Sequence, residues 1–162
     1  MDPSTITAAE QFCGAPGVGG GMVQGGRLVA VDARGGSRLT LLFAGVGADS
    51  SQCDLRIEAS DTFAIIGTSA STSAGPADFV APNDVIILGG GQMRGIGAEE
   101  WSSVTGRTGP AITAVRVEFA NGSGLGASVG GGWFTAWWPT TRTNFVVEGL
   151  DASGNKVGEA RQ

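Results

Sequence analysis

From Arg27 onward the apolar positions recur with a period of two, the spacing of strands whose successive side chains face opposite ways. Leu28-Val29-Ala30-Val31 and Leu39-Thr40-Leu41-Leu42-Phe43 flank the turn-forming cluster Asp32-Ala33-Arg34-Gly35-Gly36-Ser37 and predict a hairpin. Cys53-Asp54-Leu55-Arg56-Ile57-Glu58 alternates throughout. It predicts Cys53, Leu55 and Ile57 on a core face and Asp54, Arg56 and Glu58 on a solvent face. Short strands are expected over 63–66 and 85–88, the second ending in Gly89-Gly90-Gly91, with a Ser/Ala/Pro-rich loop over 69–83 between them.

In the second half Val115, Val117 and Phe119 point one way and Arg116 and Glu118 the other, before Asn121-Gly122 turns the chain. A two-residue loop would oppose Val117 to Gly126 and Glu118 to Leu125, mixing the faces. A three-residue loop, Ala120-Asn121-Gly122, opposes Val117 to Leu125 and Val115 to Ala127 and puts Gly122 at the left-handed position, so the pattern selects it. Phe145–Leu150 and 155–160 form a closing pair around Ala152-Ser153-Gly154.

Residues 4–13 are the one helix candidate. Thr7 with Glu10 can form a capping box, or Ser4 can cap one turn earlier, and Gly14 and Pro16 stop it. Ile6, Ala9 and Cys13 share a face. The expected organisation is a helix and Gly-rich tether over 1–26 and a β-rich domain over 27–162, with two halves dividing near 89–98. The expected fold is all-β, an antiparallel sandwich of short strands, immunoglobulin-like in general architecture, with one short N-terminal α-helix.

Gly132-Trp133-Phe134-Thr135-Ala136-Trp137-Trp138-Pro139 holds three of the four Trp. In a strand, Trp133, Thr135 and Trp137 line one side and Phe134, Ala136 and Trp138 the other. Two apolar sides suggest a central strand, or an inner face plus an aromatic platform on which a sugar ring or Pro-rich peptide stacks. Core packing is the favoured reading, with at least two of Trp133, Phe134, Trp137 and Trp138 deeply buried. Pro139 stops the strand, so Trp138 is expected to reach solvent. Trp133, Trp137 and Trp138 are the candidate ligand-binding residues.

Charged residues are only 15% of the chain, so Ser, Thr, Asn, Gly and Ala must make most of the surface. A net charge of −5 argues against a nucleic-acid partner, and one Lys, Lys156, excludes a polybasic membrane patch. The longest apolar stretches, such as 39–46, are strand-sized, and no signal peptide precedes them. An exported protein that begins Met1-Asp2-Pro3 is expected to have lost its leader or anchor. Cys13 and Cys53 have neither metal nor CxxC spacing. They read as a structural disulfide, suited to an oxidising compartment, or as two buried free thiols.

Chemistry is sparse. There is no His, so Ser nucleophiles lack their usual base. Asp49, Asp54, Glu58 and Asp61 cluster in sequence, and paired carboxylates serve glycoside hydrolysis. Alternation puts Asp54 and Glu58 toward solvent and Asp49 and Asp61 in turns, which reads as a solvated acidic edge. Asp151-Ala152-Ser153-Gly154-Asn155 lacks the glycine placement and distal Glu of a calcium loop, and residues 17–21 lack the Lys-Ser/Thr of a phosphate loop. No catalytic residue, metal or cofactor is expected.

Gly106-Arg107-Thr108-Gly109-Pro110 leads to the Val115 strand, and Gly132–Pro139 is followed by the 151–157 hairpin. Together these stretches resemble a group of uncharacterised extracytoplasmic proteins of actinobacteria, which carry G-R-x-G-x-x-V-T-x-V before G-W-F-x-A-W-W-P. The resemblance covers roughly the last 60 residues and extends loosely to 29–53 through Val31-Asp32-Ala33-Arg34-Gly35. It implies a β-rich domain, secreted or held by a single N-terminal membrane helix that the present residues do not contain, and it implies no activity. The expectation is a non-enzymatic extracytoplasmic domain, a cell-envelope accessory or recognition module for a protein or envelope glycan. The alternatives are a glycan-active enzyme using paired carboxylates and a subunit of a surface assembly, since low charge with abundant Gly and Ala suits packing between copies as an oligomer.

Overall fold

The computed structural model describes residues 1–15, 26–45, 49–59, 62–71, 80–94, 100–140 and 144–161. After α1 (Pro3–Gly14), strands β1 (Arg27–Arg34), β2 (Arg38–Ala44), β3 (Ser50–Ala59) and β4 (Thr62–Ser71) form a meander, here sheet A. Sheet B is built from β5 (Val85–Arg94), β6 (Glu100–Thr108), β9 (Ser128–Gly130) and β10 (Trp133–Trp138) in the order β5-β6-β10-β9. Sheet C is built from β7 (Ala114–Phe119), β8 (Gly124–Gly126), β11 (Phe145–Leu150) and β12 (Lys156–Arg161) in the order β12-β11-β7-β8. The pairings are antiparallel, and the fold is all-β and sandwich-like with one short N-terminal helix.

The layers follow from which faces are apolar. Ala9 and Cys13 of α1 pack with Leu39, Leu41, Phe43, Cys53 and Leu55 on one face of sheet A. The opposite face of sheet A meets sheet B, where Ala30 and Leu42 cover Trp133. The other face of sheet B shares the main core with sheet C, through Val104, Phe134 and Trp138 against Val115, Val117, Phe145 and Val147. The sandwich thus has three stacked sheets, and β6 and β10 at the centre of the middle one are buried.

Pro3, whose fixed φ suits a first helical turn, starts α1 earlier than the capping pattern implied. Thr7 lies inside the helix and donates to the Pro3 carbonyl at 3.1 Å, so the capping box with Glu10 does not form. Cys13 and Cys53 are bonded, with Cα atoms 6.3 Å apart, and Phe12 packs against Phe63 with ring centroids 5.7 Å apart. Residues 17–25 of the expected tether, and Asp61, lie outside the described residues.

The β7–β8 hairpin has the register chosen by the apolar pattern, with Val117 opposite Leu125, Ala127 N–H donating to Val115, and Gly122 at φ 77°. The first hairpin differs. Its turn is Gly35-Gly36-Ser37, which places Asp32 and Arg34 inside β1. Strand β6 was not anticipated, because Trp101-Ser102-Ser103-Val104-Thr105 has no apolar alternation. Sheet A ends at Ser71, and sheet B begins with β5, which runs from Val85 to Arg94.

Strand β10 is buried along its whole length. Pro139 does end it, but sheet C covers Trp138, which is 3% exposed and meets Phe119 and Phe145 edge-on at 5.2 Å each. Strand β6 makes room for these rings by being small where β10 is large: Ser103 lies opposite Trp137, Ser102 opposite Trp138 and Gly106 opposite Phe134.

Two outcomes are expected. Cys13→Ser reopens a 40-residue loop, which on the chain-entropy account costs about 4 kcal/mol and lowers Tm by roughly 10 °C. Calorimetry of wild type and variant, with a thiol assay on the denatured unreduced protein, checks it; two free thiols in wild type would contradict it. Gly106→Ala places a Cβ 2.1 Å from the Ile86 carbonyl and 2.5 Å from the Phe134 ring. Backbone and a packed ring cannot both yield, so a loss of about 3 kcal/mol is expected in denaturant titration, and a change within about 0.5 kcal/mol would contradict this packing.

Candidate functional site

Residues of β3 that face away from α1 enter the interface with sheet B. Asp54, expected in a solvated edge, is 2% exposed. The alternation was read correctly, but the face opposite the helix is covered by a second sheet instead of water. Asp54 accepts hydrogen bonds from Thr40 Oγ1 at 2.7 Å and from Gln52 Nε2 at 2.9 and 2.8 Å to its two oxygens. Gln52 Nε2 also donates across the interface to Ser103 Oγ at 3.3 Å. Burial pushes the Asp54 carboxyl up to about 6, against the opposing pull of the Thr40 and Gln52 hydrogen bonds and the Arg38 charge.

The register extends this seam across three strands. Asp32, Thr40 and Asp54 are mutually paired positions on β1, β2 and β3. Asp32 accepts from Arg34 Nε at 2.8 Å on both oxygens and from the Trp137 backbone N–H at 3.2 Å, and its own burial raises its carboxyl. Arg38 lies between the Trp101 and Trp137 rings, 5.4 and 5.3 Å from their centroids. Both indole N–H groups are buried without an acceptor among the described residues, and both rings line a cavity of about 10 Å³ that Thr40 and Asp54 also border. Other members of the sequence-level carboxylate cluster do not join: Glu58 pairs with Arg56 at 2.9 Å on the surface, and Asp49 lies in the connection before β3.

Sheet A packs tightly on sheet B where β1 meets β9 and β10. On the far side, between β3–β4 and β5–β6, the sheets leave a cleft of about 350 Å³. Ser50, Gln52, Ser69 and Ser71 form one wall, Ser103 and Thr105 the other, and Leu42 and Leu88 add an apolar patch. Among the described residues, no charged side chain lines it. Gln52 and Ser103 belong both to this wall and to the Asp54 network, so the cleft floor is fixed from behind.

The proposed stacking residues are elsewhere. Trp133, Trp137 and Trp138 are 5%, 6% and 3% exposed. Arg107 lies over Trp133 at 5.2 Å, Arg38 over Trp137, and the Phe119 and Phe145 rings enclose Trp138. No face of these rings is open to a ligand from solvent, which corrects the platform reading, and none lines the cleft. Asp151 holds a turn: it accepts N–H bonds from Ser153 at 2.8 Å and Asn155 at 2.9 Å, and the Asn155 backbone bond chiefly keeps its carboxyl below the usual range. Among the described residues, no three His, Cys, Asp or Glu gather in a way that could hold a metal ion. No family model, curated protein or solved structure matches the chain.

Asp54 gives stability a distinctive pH dependence. An unfolded Asp titrates near pH ~4, whereas Asp54 in the fold titrates near 6. Between these values the native state binds more protons than the unfolded state, so this contribution to stability is full below about pH 4 and falls as pH rises through 6, by about 3 kcal/mol in all. Asp32, also raised, acts in the same direction. Asp54→Asn is expected to flatten that fall and to be the more stable protein above pH ~7. Chemical denaturation of both proteins across this range checks it; parallel curves would contradict it.

Proposed function

We propose that the protein is a non-enzymatic recognition module that works outside the cytoplasm as an accessory of the cell envelope, and that the cleft between sheets A and B receives its ligand. The observation that carries this reading is the lining: hydroxyls and the amides of Gln52 and Gln92 around a small apolar patch, held by a buried network, in a cavity of small-molecule size. Such walls bind a neutral polar group and supply no acid, base or nucleophile. The Cys13–Cys53 bond favours an oxidising compartment. No helix among the described residues is long and apolar enough to cross a membrane. The resemblance to extracytoplasmic actinobacterial proteins points the same way.

The glycan-active enzyme would need two carboxylates facing a bound glycosidic bond. Asp54 lies behind Gln52, Asp32 is engaged by Arg34, and neither lines the cleft. An assembly subunit would need an apolar contact face, and among the described residues only Met1 and Ile86 are large exposed hydrophobics.

Titration of isotope-labelled protein with a panel of neutral saccharides and uncharged peptides is expected to yield at least one ligand that moves amide resonances of Ser69, Ser71 and Gly89 and is recovered unchanged. Ser69→Leu, which projects a larger side chain into the cleft, is expected to weaken binding by roughly tenfold. Shifts confined to another surface, or turnover of the ligand, would overturn the reading.

A further inference from the structure

We infer that the cleft floor is a fixed acceptor–donor pair, Gln52 Oε1 and the Ser103 hydroxyl, that seats one hydroxyl group of a neutral saccharide. The inference rests on the cleft being the ligand site and goes on to name the ligand's chemistry.

The orientation of Gln52 is dictated by its neighbour. A carboxylate can only accept hydrogen bonds, so Asp54 turns the amide nitrogen of Gln52 toward itself. That nitrogen has two hydrogens: one serves the Asp54 oxygens, and the other points to Ser103 Oγ. The group of Gln52 left for the cleft is its carbonyl oxygen, an acceptor only. Ser103 Oγ, already accepting from Gln52, keeps its own hydrogen to donate. The two residues are 2% and 4% exposed, and the strands that carry them hold them in place, so the pair is preorganised.

This polarity selects among ligands. A carboxylate or phosphate has no hydrogen to give Gln52 Oε1, and an ammonium, which can only donate, leaves the Ser103 hydroxyl hydrogen without an acceptor. A secondary amide of a peptide carries both, but its N–H and C=O point in opposite directions across a planar group. One peptide plane therefore cannot meet both groups, and an extended peptide could do so only with the N–H and C=O of one residue, which flank its Cα and so lie on two separate atoms. A hydroxyl donates and accepts at one atom, which is what the floor requires. The hydroxyls of Ser50 and Ser69 can serve neighbouring sugar hydroxyls, and Leu42 and Leu88 offer an apolar patch to the C–H face of a ring. Among the described residues the lining has no aromatic side chain, so their contribution to affinity should be modest and governed by hydrogen bonds.

The test is a binding series at pH 7.5, followed by side-chain amide and backbone NMR shifts. The probes are neutral oligosaccharides, their uronic-acid counterparts and a capped uncharged tetrapeptide. Neutral saccharides are expected to bind and move the Gln52 side-chain amide signals, with the uronic acids at least tenfold weaker and the peptide silent. Ser103→Ala removes the donor with little change of volume and should weaken saccharide binding by roughly five- to tenfold. Asp54→Asn leaves the amide free to turn and should do likewise, with loss of the single, well-dispersed pair of Gln52 side-chain amide signals. Binding of the peptide in the cleft in place of saccharides would overturn this inference and leave the recognition reading standing. Saccharide binding indifferent to Ser103→Ala would do the same. No binding by any probe would count against both.

Discussion

The burial of strand β10, in sheet B, on both faces is the constraint on which the rest depends. A strand with solvent on one side can vary that side freely, but β10 must fill two interfaces at once. Trp133 and Trp137 fill the space beneath sheet A, and Phe134 and Trp138 fill the core shared with sheet C. Close packing then limits the neighbour: β6 carries Gly106, Ser103 and Ser102 opposite Phe134, Trp137 and Trp138. The aromatic run and the unremarkable Ser-rich strand beside it are two halves of one packing solution.

The same constraint accounts for the polar seam. Sheet A has an apolar face against α1, secured by the disulfide, and its second face is largely polar yet enclosed. Carboxylates in such a place are tolerated only when fully hydrogen-bonded. Asp32 and Asp54 meet that condition differently, one through Arg34 and the Trp137 backbone, the other through Thr40 and Gln52. Because the interface is polar toward β3 and β4, it does not close like a hydrocarbon core, and the cleft opens there. The chemistry that keeps Asp54 in the interior also fixes the orientation of Gln52 at the cleft wall. Stability at neutral pH is given up at the residue that orders the site.

Much of the architecture was legible. Val115 to Phe119 and Leu125 carried enough alternation to fix the β7–β8 register, and Ala9, Cys13 and Cys53 carried enough to dock the helix. The candidate site was not legible. Gln52, Ser69 and Ser103 are common, uncharged surface types in sequence, and nothing in their spacing marks them. Asp54 was noticed and misplaced. The signal that could have corrected it is the two-sided apolar pattern of β10, which requires cover on both faces and therefore a third layer.

The sequence by itself determined the local periods: which residues alternate, where Gly122 and Pro139 turn or stop the chain, and which side of each strand is apolar. These are short-range properties, set by backbone sterics and the pleat of a strand. Only the tertiary structure decided what lies against each polar face. Alternation separates two sides of a strand but is silent on whether the polar side meets water or another sheet, because both environments accept Ser, Thr, Gln and a hydrogen-bonded Asp. The identity of the layer opposite Asp54 depends on β6 and β10, which lie roughly 50 to 80 residues further along the chain. That long-range pairing turned an apparent solvated edge into the buried network behind the cleft.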